Sequence, residues 1–147
     1  MPAVTHSILS LDVGDKRVGI AIASVVARLP RPLLTLPRND KFIPDLRKII
    51  SDEAVETLVV GLPRGLDGQH TKQTQVTETF IDELKTQLKI PVYTQDEALT
   101  SVQAESELQA HGATYQRGDI DALAAAYILE DWLQENTNQQ KGEHVTL

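Results

Sequence analysis

The sequence predicts an α/β domain built on a five-stranded mixed sheet with helices on both faces. Three observations point there. Two apolar strand-like runs, residues 8–13 and 17–24, are joined by a turn short enough for a hairpin, and a third short strand follows. From Asp40 onward the apolar period switches to that of a helix, and helices then alternate with strands. Thr57 to Gly61, Thr-Leu-Val-Val-Gly, is a continuous apolar run of the kind found in a buried parallel strand.

Taken in order, Ile8, Leu9, Leu11 and Val13 fit a buried first strand that carries one acid, Asp12. Gly14 to Lys16 makes the turn, and Gly14 leaves room for a backbone or a phosphate to approach Asp12. In the second strand Val18, Ile20 and Ile22 face one way, and Gly19, Ala21 and Ala23 face the other, a small surface that admits a helix or ligand. Pro32 to Leu36 reads as an edge strand because prolines bound it. A helix follows, with Phe42, Ile43, Leu46, Ile49 and Ile50 on one face and Pro44 near its first turn. The run at 57–61 should lie beside the first strand. Leu62 to His70 is a turn-rich loop leading to a helix over Thr71–Leu88, whose inner face is Val76, Phe80, Ile81, Leu84 and Leu88. Pro91 to Thr94 begins the fifth strand, closed by Gln95-Asp96-Glu97. Leu99 and Thr100 then open a helix that Gly112 can stop. Asp119 can cap a final helix running to Trp132 or Leu133, with Ala122, Ala124, Ala125 and Ala126 allowing close packing on the sheet. Residues 1–134 are expected to form the domain, and the polar residues 135–147 a mobile tail.

A chain of 147 residues suits one domain. Zero cysteines exclude a disulfide scaffold and a thiolate zinc site and fit a reducing cytoplasm. No apolar run approaches a membrane span, so a cytoplasmic protein with no membrane partner is expected. The net charge of -7 argues against a non-specific nucleic-acid coat, but the charge is unevenly spread. Residues 1–50 carry net +4 and residues 51–147 net -11. Lys16, Arg17, Arg28, Arg31, Arg38, Lys41, Arg47 and Lys48 could therefore form a basic surface beside an acidic site.

Three acids fall where such a sheet could gather them: Asp12 on the first strand, Glu97 at the end of the fifth, and Asp121 in the first turn of the last helix. Parallel first, fourth and fifth strands would bring Asp12 and Glu97 to the same carboxyl edge, where open sheets place their sites. The helix dipole would favour Asp121 as an anion. Taken singly, Glu97 reads more readily as a solvated loop acid and Asp121 as a first-turn residue serving only its helix; taken together in their contexts, the three point to a site. Three carboxylates without a basic partner call for divalent cations. Mg²⁺, or Mn²⁺ in its place, suits oxygen-only ligands, and a metal pair can activate water against a phosphodiester.

Asp-Val-Gly-Asp-Lys-Arg-Val-Gly at residues 12–19 resembles the opening motif of the YqgF family, RNase H-like proteins described as Holliday junction resolvases and pre-16S ribosomal RNA nucleases. Three further blocks resemble the family in the correct order: Val-Val-Gly-Leu-Pro-x-x-x-Asp-Gly at 59–68, Asp-Glu-x-Leu-Thr-Ser-Val-x-Ala-Glu at 96–105, and Asp-Ile-Asp-Ala-Leu-Ala-Ala at 119–125. The resemblance implies the RNase H-like fold, with Asp12, Glu97 and Asp121 as catalytic, metal-binding acids. It implies Asp96 and Asp119 as supporting residues, Gly14 in the first turn, and Lys16 and Arg17 as phosphate contacts. Gly61, Pro63, Asp67 and Gly68 would shape the substrate edge. The chain departs from the family at Ala98, where an arginine is common, and before the last acid, where a lysine cluster is replaced by Arg117 alone.

A metal-dependent nuclease acting on structured nucleic acid, either precursor ribosomal RNA or branched DNA, is the reading these features favour. A Holliday junction resolvase cuts two strands symmetrically and usually acts as a dimer, yet no sequence stripe declares an interface, so a monomer or weak homodimer is expected. A non-catalytic nucleic-acid-binding scaffold would suit the acidic charge and missing lysines. An ATPase of the actin and Hsp70 type would need a second domain and a second Asp-x-Gly turn, for which this chain has no room.

Overall fold

The structure, a computed structural model, describes residues 5–65, 68–97, 106 and 117–145. Its elements are β1 (Ser7–Val13), β2 (Arg17–Ser24), β3 (Arg31–Pro37), α1 (Phe42–Asp52), β4 (Val55–Pro63), α2 (Lys72–Gln87), β5 (Val92–Glu97) and α3 (Arg117–Val145). The five strands form one sheet in the order β3-β2-β1-β4-β5. β1 pairs antiparallel with β2 and β2 with β3, while β1, β4 and β5 run parallel. The expected meander and parallel half are both present, and β3 is an edge strand. Its register shifts between Ile20 and Ala21 of β2, a bulge that together with Pro32 and Pro37 makes the edge a poor template for another strand.

The pleat sorts side chains to two faces. Leu9, Leu11, Val13, Val18, Ile20 and Ile22 join Phe42 and Leu46 of α1 and Phe80, Ile81 and Leu84 of α2 in the main core. On the other face Ile8, Ala23 and Val59 pack with Ile128, Leu129 and Leu133 of α3, and Ala21 meets Ala125 and Ala126. The small face of β2 explains how closely α3 approaches: a Cβ built on Gly19 would fall 2.1 Å from the carbonyl oxygen of Asp121. Ser10, fully buried on this face, donates to the Ala125 carbonyl at 2.6 Å, pinning α3 to the middle strand. Leu46, Leu58 and Leu84 are completely buried, each side chain contributing about 1.5–3 kcal/mol by leaving water.

Several boundaries differ from expectation. The inner face of α2 carries Thr74 and Thr77 with Phe80, Ile81 and Leu84, whereas Val76 is 40% exposed. Thr74 is drawn inward because its hydroxyl donates to the Pro63 carbonyl at 2.5 Å and its backbone N–H donates to the Thr71 cap. The end of β5 at Glu97 is as expected, its pairing with β4 continuing to Pro63. α3 begins at Arg117, so Asp119 lies within its first turn and does not cap it, and Asp121 stands just past that turn, where the dipole is weaker. α3 also continues to Val145, beyond the expected end at Trp132 or Leu133. The apolar periodicity does stop there, but Gln, Lys and Glu have good helix propensity and extend a helix already nucleated. The expected helix after Leu99, with its Gly112 stop, and Asp67 and Ala98 lie outside the described residues. Among the described residues no helix is long and apolar enough to cross a membrane.

Candidate active site

Asp12 sits one residue from the carboxyl end of β1, paired across from Gly19 of β2. It follows Ser10 by two residues, so it points to the same face, toward α3. Because Gly19 has no side chain, the backbone of α3 at Asp121 rests on β2 beside Asp12. The turn below is held firmly: Gly14 N–H donates to the Arg17 carbonyl at 2.9 Å, and Arg38 reaches back to the Gly14 carbonyl at 3.0 Å. The Arg38 guanidinium also lies over the Phe80 ring, 4.7 Å from its centre.

Glu97 ends β5, two strands from Asp12. β4 intervenes, and it is there that Gly61 matters. A Cβ on Gly61 would lie 3.1 Å from the Glu97 carboxyl carbon and from its Oε2, and 2.4 Å from Ile128 Cδ1. The glycine is a notch in which the Glu97 carboxylate leans over β4 toward β1. Asp121, on α3, closes the group from above the sheet.

The three acids are near enough for their charges to act on one another. The Asp12 carboxyl is pushed up to about 8, first by burial and then by the negative charges of Glu97 and Asp121. At neutral pH the protonated form is therefore favoured, and a cation binding there would displace that proton. The expectation that the three carboxylates lack a basic partner needs correction, because the Arg17 Nε donates to Asp121 Oδ2 in an ion pair. Arg17 opens β2, directly after the turn, and reaches α3 because Gly19 brings that helix close. Gly14, Asp15, Lys16, Arg17 and Asp121 line an open polar pocket of about 280 Å³.

The donors are all hard carboxylate oxygens, and the protonation forced on Asp12 is the deficit that a divalent cation would remove. In type, the residues fit Mg²⁺ or Mn²⁺. As they stand, no group of three acids or histidines among the described residues is drawn in tightly enough to hold an ion. Arg17 occupies one oxygen of Asp121.

The other expected residues divide. Lys16 and Arg17 are at the rim. Asp96 is near but turned away, its side chain 67% exposed and paired with Arg64. Asp119 lines a separate groove with Leu34 and Leu123. Gly68 has a positive φ of 76° that suits glycine, and its N–H donates to the Gly65 carbonyl at 3.0 Å. Much of the basic first third is spent on structure: Arg28 donates to the Leu133 carbonyl, Arg47 to Gln87, and Lys48 pairs with Asp52. Arg64 was not singled out by the sequence, because nothing in a turn-rich loop indicates that its side chain will meet Asp96, thirty-two residues away.

Comparison with known proteins identifies the family and the fold. Residues 6–135 match the family model RuvX, described as Holliday junction resolvase. A protein of Chloroflexus aggregans named "Putative pre-16S rRNA nuclease" is 38% identical over 90% of this chain and 96% of its own length. A Pseudomonas putida protein of the same name is 35% identical over 88% and 96%. Among solved structures, Thermus thermophilus RuvC is similar with a TM-score of 0.52 at 13% identity, covering 89% of this chain and 96% of that one, which establishes the shared RNase H-like fold. With a family model covering most of the chain and relatives at this identity over nearly their full length, the chain belongs to the RuvX family, the YqgF family whose motifs it carries.

Proposed function

We propose that this protein is a divalent-metal-dependent nuclease that hydrolyses phosphodiester bonds in structured nucleic acid, with precursor 16S ribosomal RNA as its substrate. The observation that carries the reading is the buried Asp12, held protonated near neutrality by its burial, Glu97 and Asp121 at one edge of the sheet. Acids perturbed in this way cluster at functional sites, and a divalent cation would offset the charge that these three share. Asp12, Glu97 and Asp121 would hold Mg²⁺ or Mn²⁺, which when bound supplies an activated water and neutralises charge on the leaving oxygen. Lys16 and Arg17 meet the phosphate backbone at the rim, and Arg17 orients Asp121 until substrate arrives. Gly61 gives Glu97 its place over β4, and Gly19 gives Asp121 its place over β2. The names of the relatives support the RNA substrate, and a cytoplasmic location suits that substrate.

The family description favours a second substrate, the four-way DNA junction. Resolving a junction takes two active sites, so that activity requires a dimer, whereas RNA trimming does not. Purified protein should be given precursor 16S RNA and a four-way junction side by side, with Mg²⁺, Mn²⁺ or chelator, and its mass in solution measured. Metal-dependent cleavage of the RNA by a monomer supports the proposal. Symmetric junction cleavage by a dimer favours the second substrate, and no cleavage of either, with binding retained, leaves a scaffold.

A further inference from the structure

The last two residues of β5 point to opposite faces of the sheet, as successive strand residues must. Glu97 turns toward α3 and the Gly61 notch. Asp96 is paired in register with Leu62, a residue of the main core, so it turns toward the α1 and α2 face. There Arg64 holds it, Nε to Oδ1 at 3.2 Å, and the Arg64 N–H also donates to the Glu97 carbonyl at 3.2 Å. Arg64 itself is anchored from behind, since the adjacent Pro63 carbonyl accepts from the buried Thr74 hydroxyl of α2. One loop residue thus fastens two consecutive residues at the end of an edge strand, where β4 is the one strand pairing with β5 among the described residues.

We infer that Arg64 is a positioning residue for Glu97: its ion pair with Asp96 fixes the pleat of β5 at its last step, and so fixes the face on which the Glu97 carboxylate stands. A strand end free to rotate by one residue would send Glu97 to the wrong face. The pair lies on the opposite side of the sheet from Asp12 and Asp121 and does not touch substrate. It gives Asp96 a role distinct from that of its neighbour, holding the acid that binds metal.

This inference rests on the nuclease reading, and its test separates the two. Arg64→Ala, Asp96→Asn and the charge-swapped double variant Arg64→Asp with Asp96→Arg would be compared with the unaltered protein, after circular dichroism shows each to be folded. Cleavage kinetics would be measured together with Mn²⁺ binding by calorimetry in the absence of nucleic acid. Each single variant should lose about fivefold in kcat with KM unchanged, near the limit for a partly exposed ion pair, and Mn²⁺ affinity should weaken similarly. The swapped pair should recover most of both. Unchanged kcat and Mn²⁺ affinity in the single variants, or a swapped pair no better than they are, overturns the positioning role. A raised KM with kcat intact also overturns it and makes Arg64 a phosphate contact. If the unaltered protein cleaves nothing but binds Mn²⁺, the nuclease reading fails while the calorimetric comparison still decides where Arg64 acts.

Discussion

Asp12→Asn should stabilise the metal-free protein while removing its activity. In the folded protein the Asp12 carboxyl is raised from 3.8 to about 8, by burial and by Glu97 and Asp121. Between those values the folded chain binds one proton more than the unfolded chain. Asp12 is therefore least costly below pH 4, and stability falls by about 1.4 kcal/mol per pH unit as pH rises toward 8. From 3.8 to pH 7 that amounts to about 4 kcal/mol. The asparagine variant has nothing to titrate but buries an amide in place of a hydroxyl, costing about 1 kcal/mol, so a net gain of about 3 kcal/mol is expected at pH 7. Urea unfolding with a chelator present, at pH 5, 6, 7 and 8, reads the difference directly. The gap between variant and unaltered protein should widen with pH and level off above 8. A gap that is constant across that range, or a variant less stable at pH 7, would refute the reasoning. With Mg²⁺ added, the unaltered protein should recover stability and the variant should not.

The remaining predictions follow from close contacts and exposed charge. Gly19→Ala places a Cβ 2.1 Å from the Asp121 carbonyl oxygen, so α3 must lift from β2; thermal unfolding should show a loss of about 3 kcal/mol or more, together with lost cleavage. Gly61→Ala meets the movable end of Ile128 at 2.4 Å and the Glu97 carboxylate at 3.1 Å, so Ile128→Val in the same chain should restore stability without restoring activity, as melting and cleavage assays would show. Lys16→Ala with Arg17→Ala should lower the slope of log affinity against log salt by about two units, one per lost phosphate contact, measured by fluorescence anisotropy on labelled RNA.

The strands were legible because the sheet writes itself into a period of two: Val18, Ile20 and Ile22 against Gly19, Ala21 and Ala23 defined both the core face of β2 and the face that would receive a helix. The run at 57–61 announced a strand buried on both sides. The acids Asp12, Glu97 and Asp121 stood out at element ends, and the family motifs marked them. Sequence could not show that Arg17 would neutralise Asp121, that Gly61 would cradle Glu97, or that Arg64 would meet Asp96. Those are contacts between segments tens of residues apart, set by which strands become neighbours. The inner face of α2 was misread for the same reason, since Thr74 is buried only because Pro63 offers it a carbonyl. The end of α3 was missed for another: helix propensity carried it past the end of the apolar pattern. Local pattern determines which face a residue turns inward, but what it meets there depends on the packing of the whole sheet, and the charge state of Asp12 is a property of that packing alone.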